Sequence, residues 1–217
     1  MKLVKPSIEF LNMTEEPLRA IERAGRTCYK SEDKITEDSA EKFVGMLIKR
    51  EHEAMLEHAS ASYRIICDRG VTHEIVRHRL FSFAQESTRY CNYKGGVEFI
   101  VPCWFNAIGG GDFPWNRDDA CEESYCSSEG VWFAHMMWAE HTYKHMIENG
   151  WTPQQARSVL PNSLKTEIVV TGNLREWRHF FKLRCAKAAH PQMREVANMV
   201  LADIQQRVPV IFDMEIK

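Results

Sequence analysis

The chain has 217 residues, 44% hydrophobic and 27% charged, with a formal net charge of -2. That length and apolar content suit one globular domain with a real core. The near-neutral charge argues against a dedicated nucleic-acid binder, whose affinity depends on a basic excess that neutralises phosphates.

The opening stretch breaks its apolar character at Pro6 and Glu9, so it does not read as a signal peptide. No apolar run approaches the roughly 20 residues needed to cross a bilayer. Cysteines at 28, 67, 91, 103, 121, 126 and 185 are odd in number and irregular in spacing. A disulfide framework is therefore not expected, and a reducing, cytoplasmic setting is.

In chain order, a short strand is expected near Ile8–Leu11, then two helices, the second from about Thr36 with Phe43, Val44, Leu47 and Ile48 at helical spacing. Ser60–Cys67 alternates as a strand. Val71–Arg79 reads as a short helix and Val97–Val101 as another strand. From Pro102 to Gly130 the composition shifts to glycines 109–111, Pro114, three cysteines and four acidic residues between Asp118 and Glu123, which reads as a long excursion. A Trp- and Met-rich helix then runs to a stop at Gly150.

Thr152-Pro153-Gln154-Gln155 is a capping box with proline at the first helical position, and Pro161 ends that helix early. Thr166–Thr171 is a predicted strand. Asn173 is the predicted N-cap of the next helix, with Glu176 as its reciprocal partner. The last helix places Met193, Val196, Ala197, Val200, Leu201 and Ile204 on one core-facing stripe. The predicted fold class is α+β: a single domain with a central, mostly antiparallel sheet flanked by helices.

The chemistry concentrates in RHRLFSFAQESTRY, residues 77–90, which holds three basic side chains in a row and one carboxylate, Glu86. Basic residues at a helix C-terminus commonly just offset the macrodipole. Three together need anionic company, yet successive helical residues point about 100° apart and cannot all grip one group. Ser87 and Arg89, two apart, share a face if the backbone is extended, and a hydroxyl beside a guanidinium suits phosphate. Further on, Trp177, Phe180, Phe181 and Arg184 fall on one helical stripe. That spacing aims a permanently charged guanidinium inward, or else lets it snorkel to solvent. Arg157 on its short helix has the plain reading of a solvent-facing residue.

Other candidates carry less. His141 and His145 have metal-ligand spacing, but HTYKH lacks the glutamate of the zinc-hydrolase motif, so no metal is expected. Cys103 has no neighbour that would lower its pKa. The glycines at 109–111 precede no helix and do not form a phosphate-binding turn.

As a unit, RHRLFSFAQESTRY resembles the signature of the flavin-dependent thymidylate synthases, in which R-H-R is followed at fixed spacing by Ser, Asn, Ser and Arg. Arg77, His78, Arg79, Ser82, Ser87 and Arg89 match. Ala84 stands where the family usually has Asn, and Gln85 where Glu is common. Glu57-His58-Ala59-Ser60 resembles the family's E-H-x-[ST] segment, and Ala156 to Pro161 its A-R-x-x-L-P helix end. Asn173-Leu-Arg175 with Phe181 to Arg184 resembles its N-x-R and L-R helix, with His179 in place of a second Asn. His190, Gln192 and Glu195 continue the match. Nothing carries over between Pro102 and Gly130.

The resemblance implies methylation of dUMP to dTMP with methylenetetrahydrofolate as carbon source and FAD, reduced by NADPH, as hydride source. It implies a homotetramer with active sites built from several subunits, and neither nucleic acid nor membrane as partner. Arg184 would be the catalytic residue, stabilising charge on the pyrimidine. Glu74, Arg77, Gln85 and Glu86 would bind substrate, as would Ser87, Thr88, Arg89, Arg157 and Arg184. The flavin would meet His58, Ser60, Arg77, His78 and Arg79, with Gln85, Asn173, Arg175 and His179. Two rival classes share parts of the pattern. One is a nucleotide-binding relative that has lost the reaction, in line with Ala84 and Gln85. The other is a nucleic-acid module stacking bases on Phe83, Tyr90 and Tyr93.

Overall fold

Pro17, Pro153, Pro191 and Pro209 each sit in the first turn of a helix. Proline costs nothing there, because that N–H has no intrahelical acceptor and the ring presets the helical φ. The computed structural model of the chain describes residues 1–117 and 127–213. Asp118, Asp119, Glu122, Glu123, Cys121 and Cys126 lie outside the described residues. No described helix is long and apolar enough to cross a membrane, and no disulfide joins the described cysteines.

The strands are β1 (Lys2–Val4), β2 (Ser7–Met13), β3 (Ser60–Asp68), β4 (Ser82–Gln85), β5 (Glu98–Ile100), β6 (Gly111–Asp112) and β7 (Lys165–Asn173). The helices are α1 (Pro17–Thr27), α2 (Ser39–Lys49), α3 (Arg69–Ile75), α4 (Ser128–Glu148), α5 (Pro153–Ala156), α6 (Leu174–Arg184), α7 (Pro191–Arg207) and α8 (Pro209–Phe212). Short 3-10 helices cover Glu32–Lys34, Glu53–His58 and Arg157–Val159. The mixture is α+β, as the interleaved periodicities predict.

Among the described residues two sheets form, ordered β5-β1-β6 and β2-β3-β7-β4. In the first, β1 runs parallel to β5 and antiparallel to β6. In the second, Ser62 meets Thr171 while Arg69 donates to the Leu164 carbonyl, so β3 and β7 run in opposite directions. Antiparallel pairing predominates.

The chain divides into two compact units: Met1–Ser7, Ile66–His73 and Gln85–Ile168 in one, and Ile8–Ile65, Glu74–Ala84 and Val169–Lys217 in the other. The first is built around Leu3, Val97, Phe99, Met137, Tyr143 and Leu164. In the second, Trp177 and Phe181 stack with ring centroids 5.7 Å apart, and Phe181 meets Phe212 edge-on. The predicted α7 stripe is buried throughout. Removing these side chains from water, at about 25 cal/mol per Å² of apolar surface, is the main stabilising contribution.

Three expectations are corrected. α3 stops at Ile75, so residues 77–79 belong to the tight turns after it, where the His78 N–H donates to Ile75 and Phe81 back to His78. Ser87 and Arg89 are not extended: the Arg89 N–H folds back onto Ser87 Oγ at 3.3 Å, and Tyr90 and Cys91 donate to the Ser87 carbonyl. The short polar hydroxyl captures a nearby backbone donor and turns the chain. The excursion ends sooner than Gly130, because Ser127 caps α4 through its Oγ and the Gly130 N–H, and Gly111–Asp112 pairs as β6.

Candidate active site

The unit containing Val169–Lys217 carries the first group of site residues. β7 runs directly into α6, and Asn173 at the junction caps the helix by accepting the Glu176 N–H at 2.8 Å. With its start pinned, α6 buries Trp177, Phe180 and Phe181 completely. Arg184 lies three and four residues beyond the two phenylalanines and projects from the same face. Its guanidinium is engaged on every nitrogen. Nε donates to His78 Nε2 at 3.0 Å, Nη1 to Glu74 Oε2 at 2.7 Å, and Nη2 to the Glu74 carbonyl at 3.1 Å.

His78 is the buried member of the basic triplet, with a side chain 4% exposed, while Arg77 and Arg79 are exposed. The turns after α3 therefore sort the three: one ring goes inward and two cations outward. The His78 ring packs edge-on against Phe180 and His179, and its Nδ1 is 3.3 Å from Glu176 Oε1. Burial, then the Arg184 guanidinium and His179, depress the His78 pKa from 6.5 to about 4. The imidazole is thus neutral at physiological pH.

An unfolded imidazole takes a proton below about 6.5, whereas His78 does so only below about 4. Between those values the unfolded chain binds more protons, so this group lowers stability as pH falls through the window, and its penalty is complete below about 4. The His78 ring resonances are expected to stay constant from pH 7 to about pH 5 in an NMR titration. Titration near 6.5 would contradict the burial argument.

Asn173, Arg175, Glu176, His179, Lys182 and Leu80 line a groove of about 450 Å³ in this unit, with Glu53 and Glu57. Arg175 is held by Glu57 at 2.5 Å, and Lys182 lies 3.7 Å from Glu53. Leu80 is 74% exposed. His58 is exposed, and the Ser60 N–H donates to Thr14 Oγ1 at 3.0 Å.

The other unit carries the second group. Gln85 Nε2 donates to Thr72 Oγ1 at 3.0 Å and Thr166 Oγ1 at 3.3 Å. The Thr72 hydroxyl proton is spent on the Arg69 carbonyl, so its oxygen requires a donor. An amide supplies one and an ionised carboxylate cannot, which accounts for Gln where Glu is common. Arg157 Nη1 donates to the buried Thr88 Oγ1 at 3.2 Å, so Arg157 does more than face water. Glu86 accepts from the Tyr93 hydroxyl at 2.5 Å and lies 3.7 Å from Lys165. Burial and the Glu86 carboxylate push the Tyr93 pKa well up, so this phenol stays protonated. Arg89 is exposed over the Tyr90 ring.

Two residues of chemical interest were missed in the sequence. The spacing predicts Glu176 as a reciprocal cap, but its carboxylate turns to His78. A usable signal existed, since Glu176 is four residues before Phe180 and so shares the buried face. Arg69 has a buried Nη1 with no hydrogen-bond partner among the described residues, a donor that an anion could take. No periodicity marks it.

Among the described residues, His78, Glu176 and His179 place potential metal-ligating atoms within 4.8 Å of one another. The Arg184 guanidinium 3.0 Å from His78 opposes a cation there. His141, one of the two histidines at metal spacing, stacks on Trp115 at 4.1 Å.

Comparison with known proteins bears on what this arrangement serves. Residues 9–210 match the model of a family described as thymidylate synthase complementing protein. The flavin-dependent thymidylate synthase of Geobacter sulfurreducens is 31% identical over 213 residues, covering 94% of this chain and 84% of that one. That of Corynebacterium glutamicum is 34% identical over 217 residues, covering 97% and 84%. In structure, a UMP/dUMP methylase, PolB from Streptomyces cacaoi bound with 5-Br dUMP, superposes with a TM-score of 0.76 at 24% identity, over 98% of this chain and 96% of that one. The last shows a shared fold. A family model spanning nearly the whole chain, with relatives above 30% identity over most of their length, shows descent: the chain belongs to the flavin-dependent thymidylate synthase family.

Proposed function

We propose that this protein carries out the reductive methylation of dUMP to dTMP, taking its one-carbon unit from methylenetetrahydrofolate. FAD, reduced by NADPH, supplies the hydride when bound. The observation that carries this reading is Arg184, a guanidinium fixed at the end of an apolar helix face in a member of this family. Uracil C5 is a weak nucleophile and must gain electron density before it attacks a one-carbon unit. A cation aimed at the pyrimidine edge stabilises the negative charge that develops across N3 and its flanking oxygens. Arg184 cannot act as a base, because a guanidinium keeps its charge and has no acceptor.

Glu74 already shares Arg184 with His78, so it sets how much of the guanidinium a substrate can take. Gln85, Glu86, Ser87, Thr88, Arg89 and Arg157 bind dUMP in this reading, with Arg77. Arg157 and Arg89 offer forked donors to its phosphate. Ser87 binds and does not attack in this reading, since among the described residues its hydroxyl is bonded to the Arg89 N–H and to no activating base.

The residues present suit a flavin. Arg175 and Lys182 bring cationic groups to a groove that also has an apolar wall at Leu80 and a ring at His179. With Asn173, His58, Ser60, His78, Arg79, Arg77 and Gln85 they form the proposed cofactor set. Several of these, Arg77 and Arg79 above all, project outward. That fits a homotetramer in which one subunit's exposed arginines complete another's site, in a cytoplasmic setting.

The test is to incubate the purified protein with FAD, desalt it and record the visible spectrum, then add dUMP, methylenetetrahydrofolate and NADPH and assay dTMP. A retained flavin band with dTMP formation is expected. A colourless protein that still binds dUMP would be a nucleotide-binding relative without the reaction, and salt-sensitive DNA binding would revive the nucleic-acid reading.

A further inference from the structure

Arg184 Nε–H can only donate a hydrogen bond, so His78 Nε2, 3.0 Å away, must accept it. The neutral ring then carries its proton on Nδ1, and the group facing Nδ1 at 3.3 Å is Glu176 Oε1. The order of donors is therefore forced along the line from Glu176 through His78 to Arg184. All three are packed by α6 and the turns after α3: the His78 side chain is 4% exposed, Glu176 7% and Arg184 17%. Among the described residues, the other charged or titratable groups facing this line include His179 and Arg175 on α6 and Glu74 on α3.

We infer that Glu176 and His78 are positioning residues for the reaction: Glu176 accepts the Nδ1–H of His78 and so anchors the ring, and His78 in turn helps fix the plane of the Arg184 guanidinium. This rests on the reading of Arg184 as the group that stabilises charge on the pyrimidine. Without Glu176, the His78 Nδ1–H loses the acceptor that faces it. The ring is then free to tilt, and its Nε2 leaves the line of the Arg184 Nε–H. Arg184 is left with its two bonds to Glu74. A merely structural carboxylate at this position would stabilise α6 without affecting kcat. The neutral state of His78 agrees with the same scheme, since a doubly protonated ring would turn an N–H toward a guanidinium.

The test begins with the unmodified holoenzyme: nitrogen chemical shifts of the His78 ring, assigned by comparison with His78→Gln. Nδ1 is expected to be the protonated nitrogen and Nε2 the bare one. Glu176→Leu should keep the proton on Nδ1, where the Arg184 donor at Nε2 holds it, but shift the Nδ1 resonance as its hydrogen bond is lost and lower kcat by roughly 100-fold, as small misplacements of a reacting group do. KM for dUMP should change little. Glu176→Gln keeps an acceptor oxygen and should restore the Nδ1–H hydrogen bond and most of kcat.

A His78 protonated on Nε2 in the unmodified protein overturns the proposal, and so does a Glu176→Leu enzyme with unchanged kcat. If Glu176→Leu does not fold, the resting tautomer and the Gln variant decide. The tautomer is read without turnover, so an active Arg184→Ala enzyme would sink the reading of Arg184 while leaving the Glu176–His78 geometry separately measured.

Discussion

Arg184→Ala is expected to lower kcat for dTMP formation by at least about 100- to 1000-fold, the usual loss when one positioned charge stabiliser is removed. The fold should survive. Arg184 occupies the last turn of α6, and the Trp177, Phe180 and Phe181 side chains that anchor the helix stay buried without it. Glu74 loses its partner but is 28% exposed, so solvent takes over at a cost on the order of 1 kcal/mol. Arg184→Lys should not rescue turnover. An ammonium is a point charge and cannot donate to His78 and Glu74 while presenting a flat edge to a pyrimidine. Single-turnover assays beside circular dichroism make the check. A folded Arg184→Ala enzyme with normal turnover would rule out the charge-stabilising role.

Gly172→Val is expected to be the most damaging small change to the scaffold. A Cβ at Gly172 would lie 2.0 Å from Phe81 Cδ1 and 2.3 Å from Cε1, so the ring has to move. Phe81 is itself buried, 4.6 Å from the Trp177 ring, and only three residues after His78. The substitution therefore overpacks the core and shifts the turns that aim His78 at Arg184. Overpacking of this kind costs about 1–3 kcal/mol, which lowers Tm by several degrees in a chain of this size. Activity should fall along with stability, whereas Arg184→Ala separates the two. A thermal melt of Gly172→Val that matches the unmodified protein would contradict the packing described.

The contrast between these positions says where sequence reasoning reached. Arg184 was legible because its signal is local: three aromatic residues at helical spacing imply a buried face, and the arginine falls on it. Gly172 carries no such signal, since its need for a bare Cα comes from Phe81, 91 positions earlier in the chain. The same holds within the basic triplet. Arg77, His78 and Arg79 read alike as cations, but the chain leaves α3 four residues sooner than its pattern implies. The turn after it buries the histidine and exposes both arginines.

The sequence by itself determined the α+β class, the Asn173 cap, the β7 strand and the α7 core stripe. Through the spacing of Arg77 to Arg89 it also determined the family. Each of these depends on residues within a turn or two of one another, or on a fixed run of residue types. Tertiary structure decided the rest: that Gln85 answers the Thr72 and Thr166 hydroxyls, that Arg157 bonds Thr88, and that Glu176 faces His78 instead of closing its own cap. Those partners are separated by as few as 13 and as many as 98 positions. A hydrogen bond between distant segments is set by which surfaces pack together, and no local periodicity encodes that choice.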